Sequence, residues 1–264
     1  MFYLANVMMI DTHTHIYLTD FSEDEAAMMQ RAVEGGVQRM YLPAIDQGTH
    51  QALVDFEARY PERACAMMGL HPCSVKANYQ DELAVVEDWL KRRRFAAIGE
   101  IGLDHYWDTT FAREQEEAFR IQIEWSIRYS YPIVIHTRNA MQETINIVKE
   151  YVPLGLRGIF HCFSGSIESA REIVKAGFYL GIGGVVSYPK AGLADVLRQV
   201  DPVHLVLETD APYLTPVPFR GKRNEPSYLV HVLQKLAEVY NKTTDEIAAI
   251  TTTNAENIFG TYRP

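Results

Sequence analysis

The sequence predicts a (β/α)8 barrel, the TIM-barrel architecture, in a single domain over residues 1–264. Three observations carry this. Eight short β-rich runs recur along the chain, stretches with helical spacing and charge lie between most of them, and polar residues gather at one end of those runs. Alternating βα units imply parallel strands joined by crossover helices. Eight units in about 250 residues is the size of such a barrel. A doubly wound open sheet with extra strands is the alternative, and the even filling of the chain argues against it. No fixed repeat, low-complexity segment or Pro/Gly-rich linker divides the chain.

The runs, in order, are VMMIDTH, RMYLPA, ACAMMGLH, AAIGEIGLD, PIVIHTR, GIFHCF, FYLGIGG and HLVLETD. The stretches SEDEAAMMQRAVEGG, THQALVDFEARYPE, LAVVEDWLKRR and REQEEAFRIQIEWSIRYS read as helices. The last has an apolar row at Ala118, Ile121 and Trp125, and glutamates at its start, where the helix dipole favours them. Gly35-Gly36, Pro132 and Gly177 supply stops before the next strand. The opening MFYLANVMMI has no basic n-region and no small-residue cleavage site, so its end reads as the first strand and not as a signal peptide.

The chain has 264 residues, is 47% hydrophobic and 22% charged, and carries a formal net charge of −9. These values fit a globular protein with a sizeable core. They argue against a chain that lives on electrostatic attraction to long duplex DNA or to an anionic membrane. A local basic site on an acidic body stays open. No apolar run approaches the length that spans a bilayer. Three irregularly spaced cysteines suggest neither a disulfide framework nor a zinc finger, and point to a reducing, cytoplasmic setting. A monomer with no obligatory protein partner is expected.

In a barrel, alternate strand residues point inward and the active site lies at the C-terminal strand ends. Strand 1 ends in His13 and His15, strand 3 in His71, and strand 4 around Glu100 and Asp104. Strand 5 ends in His136, strand 6 in His161 and strand 8 in Asp210. Alone, His136 or His161 would more often be a satisfied core histidine. Scattered core histidines have no reason to gather at one end, so the set reads as a metal site. Mixed imidazole and carboxylate ligands suit zinc, manganese or iron and, more weakly, magnesium. Six ligands exceed what one tetrahedral ion needs. Two divalent ions bridged by Glu100 would use them, one on His13, His15, Glu100 and Asp210, the other on Glu100, His136 and His161.

The remaining residues divide as follows. Asp11 and Glu208 have the inward parity but sit deeper, and are expected to orient histidine N–H groups. Asp104 reads as either a loop cap or a site group. Cys162 should point outward into packing and Cys65 should be core, while Cys73 is either buried or near the site. The KRRRF run at residues 91–95 reads as a solvated helix end. The FRGKRNEP run at residues 219–226 follows strand 8, so Arg220, Lys222 and Arg223 could contact a phosphate backbone, with Phe219 or Tyr213 stacking on a base. Internal ion pairs within that loop are the other reading. Arg138, just past His136, is a further phosphate candidate.

The ordered motifs DTHTH, GLHP, GEIGLD, HTR, HCFSG, LETDAPYL and RGKRNEP resemble those of the TatD-type metal-dependent deoxyribonucleases of the amidohydrolase superfamily, over essentially the whole chain. Many relatives in that superfamily carry a carboxylated lysine on strand 4, and Glu100 at that position favours the TatD group. The resemblance implies a TIM-barrel hydrolase that cleaves DNA, often from a 3′ end on single strands. It also leaves open hydrolysis of D-aminoacyl-tRNA esters. On either substrate Asp210 would act as general base for an activated water. His71 would steady the phosphoryl oxygen unless it is a turn histidine before Pro72. A third class, a non-catalytic metal-binding scaffold, conflicts with the complete residue set.

Overall fold

A computed structural model describes residues 7–260 and Tyr262. The first six residues of the opening apolar stretch lie outside the described residues. Among the described residues eight strands run parallel: β1 (Met9–Asp11), β2 (Val37–Leu42), β3 (Ala64–Ala66), β4 (Ile98–Asp104), β5 (Ile133–Arg138), β6 (Gly158–Phe160), β7 (Tyr179–Ile182) and β8 (Leu205–Leu207). They pair in sequence order within two arcs, β1–β3 and β4–β8. Two seams close the ring. At one, Met68 bridges Ile98. At the other, Thr12 N–H donates to Leu207 O at 2.9 Å and Asp210 N–H to His13 O at 2.9 Å.

The crossover helices are α1 (Glu25–Glu34), α2 (Gln47–Arg59), α3 (Tyr79–Arg92), α4 (Ala112–Tyr129), α5 (Met141–Tyr151), α6 (Ile167–Lys175) and the short α7 (Leu193–Leu197). After β8 come α8 (Leu229–Tyr240) and α9 (Thr244–Phe259). A capping box starts α9: Glu246 N–H donates to Thr243 Oγ1 and Thr243 N–H to Glu246 Oε2. Gly36, at φ +90°, ends the turn after α1, where a Cβ would stand 2.3 Å from Val7 O. On α4 Ala118 and Trp125 are buried as expected and Ile121 is partly so.

Alternation sorts the strand bodies into two cores. Ile10, Tyr41, Cys65, Met67, Val134, Ile159 and Val206 form the inner one, closed at the base by Ala255, Ile258 and Phe259 of α9. Phe259 stacks on Tyr41 with ring centroids 3.7 Å apart. Met9, Met40, Leu42, Ile133, Ile135 and Leu207 face the helices in the larger cluster. The base also absorbs the KRRRF run. Lys91 pairs with Glu87 and Arg92 with Asp88, while Arg93 turns in to the buried Glu57 and to the Tyr262 hydroxyl. No helix among the described residues is long and apolar enough to cross a membrane.

The strands are shorter than the β-rich runs. Four of them have only three residues: β1, β3, β6 and β8. Glu100, Asp104 and His136 are therefore strand residues, whereas His13, His15, His71, His161, Glu208 and Asp210 lie just beyond strand ends.

Candidate metal centre

The centre is organised around Glu100, a buried carboxylate whose two oxygens face different groups. Oε2 lies 3.1 Å from His13 Nε2 and 3.5 Å from His15 Nε2. Oε1 lies 2.8 Å from His136 Nδ1, 3.0 Å from His161 Nε2 and 3.3 Å from His71 Nε2. Asp210 Oδ1 completes the first side, 3.6 Å from His13 Nε2 and 3.7 Å from His15 Nε2. Three sets of donor atoms are mutually close: His13–His15–Asp210, His13–Glu100–His161 and His71–Glu100–His136. All six residues expected to hold metal thus converge, and His71 joins the second side.

Hydrogen bonds orient the rings of His15, His136 and His71. The Tyr17 hydroxyl donates to Pro43 O at 2.7 Å, so its oxygen is left to accept from His15 Nδ1 at 3.5 Å. That leaves the His15 Nε2 lone pair toward Glu100 and Asp210. Asp104 Oδ2 holds His136 Nε2 at 2.8 Å and turns Nδ1 inward. The other oxygen of Asp104 accepts the N–H groups of Tyr106 and Trp107. Asp104 is therefore both loop cap and site group. Glu208 Oε1 lies 3.4 Å from His161 Nδ1 and accepts the Cys162 N–H at 2.5 Å. A Cβ at Gly181 would stand 2.2 Å from Glu208 Oε2, so only glycine leaves room for this carboxylate. His71 differs: its Nδ1 accepts the Cys73 N–H at 3.0 Å. Its Nε2 then carries the proton and enters the site as a donor.

The electrostatics match a cation-binding centre. Burial alone would raise the Glu100 carboxyl, but the fields of His161, His71 and His13 outweigh it and hold it well below the glutamate range. Burial and the neighbouring His161 push His13 well below its ordinary value, so its ring is neutral. Burial lifts Asp210 to about 6, against the pull of His161 and His15. Two ring nitrogens, His13 Nε2 and His15 Nε2, face each other at 3.3 Å across from two carboxylates. Divalent-ion bonds near 2.0–2.2 Å place tetrahedral ligands roughly 3.3–3.6 Å apart, so this donor spacing fits an ion. A buried set of this kind without a cation leaves lone pairs opposed and desolvated.

Several expectations need correction. Asp11, His13 and His15 do not share one strand face. Asp11 shares its face with Met9, which packs toward the helices, and β1 ends there. Its oxygens accept from His13 N–H, Thr209 N–H and the Thr209 hydroxyl, touching no imidazole. Burial lifts its pKa to about 8 even so. Asp11 supports the β1–β8 seam rather than a ring. Cys162 does not point outward: the strand stops at Phe160, the backbone turns to φ +48°, and Cys162 lines the cavity. Cys73 lines it too, while Cys65 is core with its thiol pushed up to about 12 by burial. Arg223 is taken up by Asp24 at 2.7 and 2.9 Å and by Asp20 O, so its expected contact with substrate finds no support. Phe219 stacks on Tyr228 at 4.5 Å, away from the cavity. Arg220 lies over the Tyr188 ring at 4.4 Å, outside the cavity lining.

The cavity above the centre has a volume of about 650 Å³ and is lined by His15, His71, Glu100, His136, His161 and Asp210, with Trp107, Arg138 and Tyr213 at its edge. Sequence reasoning missed Tyr17, Gly181, Tyr106 and Trp107. It also missed two glutamines of α4. Gln115 brackets the main chain of Asp104 from both sides, and Gln122 does the same for Leu70, next to His71. Their seven-residue spacing on the buried face of a helix was the available signal.

Comparison with known proteins places this geometry. The family model described as TatD related DNase matches residues 10–260. The metal-dependent hydrolase YabD of Bacillus subtilis is 38% identical over 253 residues, covering 96% of this chain and 99% of the relative. The 3'-5' ssDNA/RNA exonuclease TatD of Erwinia tasmaniensis is 28% identical, covering 95% of this chain and 99% of its own length. The crystal structure of YjjV, a TatD homologue from Escherichia coli K12, superposes with a TM-score of 0.90 at 31% identity, covering 96% of this chain and 98% of that one.

Proposed function

Because the chain belongs to the TatD-related DNase family of metal-dependent hydrolases, we propose that it cleaves phosphodiester bonds of DNA, from a 3′ end or on single strands, with two divalent ions at the centre. The observation that carries this is Glu100, whose oxygens separately face His13 and His15 on one side and His136 and His161 on the other. The Erwinia relative's name, a single-strand DNA/RNA exonuclease, supports the same reading. The ions are zinc, magnesium or manganese by ligand chemistry.

Bound there, the ions would supply positive charge for the phosphoryl oxygens and acidify a water. The chain's residues do the rest. Asp210, lifted toward neutrality by burial, accepts the proton of the attacking water as general base. His71, with Nδ1 occupied by Cys73, donates its Nε2–H to a phosphoryl oxygen. Glu100 holds the two sides at fixed separation, Asp104 fixes the ring of His136, and Glu208 stands 3.4 Å from the outer nitrogen of His161. Arg138 stands at the edge of the cavity for a neighbouring phosphate.

A substrate panel tests this: single- and double-stranded DNA, RNA and aminoacyl-tRNA, each with Mg²⁺, Mn²⁺ or Zn²⁺, beside Asp210→Asn. The expected result is metal-dependent cleavage of single-stranded DNA, with the variant slower by at least ~10²-fold while retaining some metal. Release of the amino acid from aminoacyl-tRNA with intact DNA would assign the site to ester hydrolysis. Near-normal turnover of the variant would remove Asp210 from the role of base.

A further inference from the structure

We propose that Trp107, Tyr106 and Arg138 form a subsite for one unpaired nucleotide beside the metal centre, with the base on the Trp107 ring and its phosphate on the Arg138 guanidinium. The proposal rests on the nuclease reading above and deepens it. Three independent observations point to a ligand.

First, the aromatic rings are open to solvent although hydrophobic. Trp107 is 69% and Tyr106 51% exposed, and Trp107 lines the cavity, as does Tyr213, itself 53% exposed. Large rings gain by burial, and a base offers a flat face to cover one.

Second, Arg138 is a cation without a counter-charge. No carboxylate among the described residues lies within ion-pair distance of it. Its guanidinium instead lies 3.7 Å from the Tyr106 ring centroid and 5.2 Å from that of Trp107. Held over an aromatic face, with no hydrogen bond from its guanidinium to a described residue, it has N–H groups available for the forked contact that suits a phosphate.

Third, the subsite is tied to the chemistry. Asp104 accepts the N–H groups of Tyr106 at 2.9 Å and Trp107 at 3.1 Å through Oδ1, and holds His136 through Oδ2. Gln115 clamps Asp104 from α4, and His105 N–H binds Arg138 O at 2.9 Å. One carboxylate thus sets the distance from the platform to the ring beside Glu100. A duplex keeps its bases stacked inside, so this subsite selects frayed ends and single strands.

The test compares two single-stranded oligonucleotides of equal length, one with bases at the terminal positions and one abasic there. Steady-state kcat/KM is measured on both for the wild type, Trp107→Ala, Trp107→Phe and Arg138→Gln, with the preferred metal present. The readout for tryptophan is the ratio of base-bearing to abasic substrate, so a general loss of folding cancels. Trp107→Ala should lower the ratio about five-fold or more, the low end of one stacked base, and Trp107→Phe should restore most of it. Arg138→Gln should leave the ratio alone and make the salt dependence of binding shallower by about 0.7 in log–log slope. If the wild type cleaves both strands but the ratio survives Trp107→Ala, the platform is overturned and the nuclease reading stands. If the wild type cleaves neither, both fall.

Discussion

The two ends of the barrel each bury a carboxylate among cationic or titratable partners, and they differ in how those partners close. At the base, Glu57 accepts from the Ala66 N–H at 2.6 Å, from the Tyr262 hydroxyl at 3.1 Å and from Arg93. Arg93 in turn donates to the Tyr262 oxygen at 2.9 Å and lies over the Phe95 ring. Every group there has a permanent opposite. At the mouth, the ion-pair partners of Glu100 among the described residues are all imidazoles, and two of those face each other through like atoms. The contrast separates structural from functional burial. A charge set complete within the chain serves stability, and a set that needs something from outside serves chemistry.

The largest effect expected from breaking this contrast is at the mouth. Glu100→Gln removes the charge shared by both sides. Turnover should fall by at least ~10³-fold, the scale of losing a positioned electrostatic group, and metal analysis should find less than one ion per chain. The thermal midpoint of the metal-free protein should not fall. Next comes Gly181→Ala, whose methyl group displaces Glu208 from His161. Metal affinity read by competition with a chelator should drop ~10- to 100-fold, the usual range for a group that orients a ligand. At the base the sign reverses. Glu57→Gln should cost about 3 kcal/mol in urea unfolding by stranding Arg93, with kcat unchanged. A loss of kcat there, or of stability in Glu100→Gln, would erase the distinction drawn between the ends.

The smallest effect concerns the loop after β8. Asp24 is held well below the usual aspartate range, chiefly by hydrogen bonds from Arg223 and Arg31. A depressed acid contributes stability that is full above about pH 4 and is lost as pH falls through its lower folded value. Asp24 is partly exposed, so Asp24→Asn should cost only about 0.5–1 kcal/mol at pH 7. The deficit should shrink steadily as pH falls from about 4 toward 2 in acid unfolding curves. A deficit independent of pH would mean that packing, not charge, anchors Arg223.

The strand bodies were legible in the sequence because alternation is a property of extended backbone. Ile10, Val134, Ile159 and Val206 fall where parity puts them. The residues that gather at the mouth were legible for a different reason: position at the C-terminal end of a strand, which holds even where parity fails. Parity fails once the strand stops. Asp11 and Cys162 were misplaced because β1 ends at Asp11 and β6 at Phe160, after which turns aim the side chains. Arg223 could not be told from Arg138 in sequence, since both are basic residues on loops at the same face. Only the presence of Asp24 beside one, and of Tyr106 beneath the other, separates them.

The seam between β1 and β8 has a consequence in time. Asp11 and Thr209, which join there, are 198 residues apart in the chain. At ribosomal rates of about 5–20 residues per second, that interval is on the order of ten seconds or more. Through that time His13 and His15 have left the ribosome without Asp210, and the ring that brings the three together is still open. The centre is assembled by one of the last strand pairings to form. Until that pairing a growing chain carries the parts of the centre without the arrangement that brings Asp210 to His13 and His15.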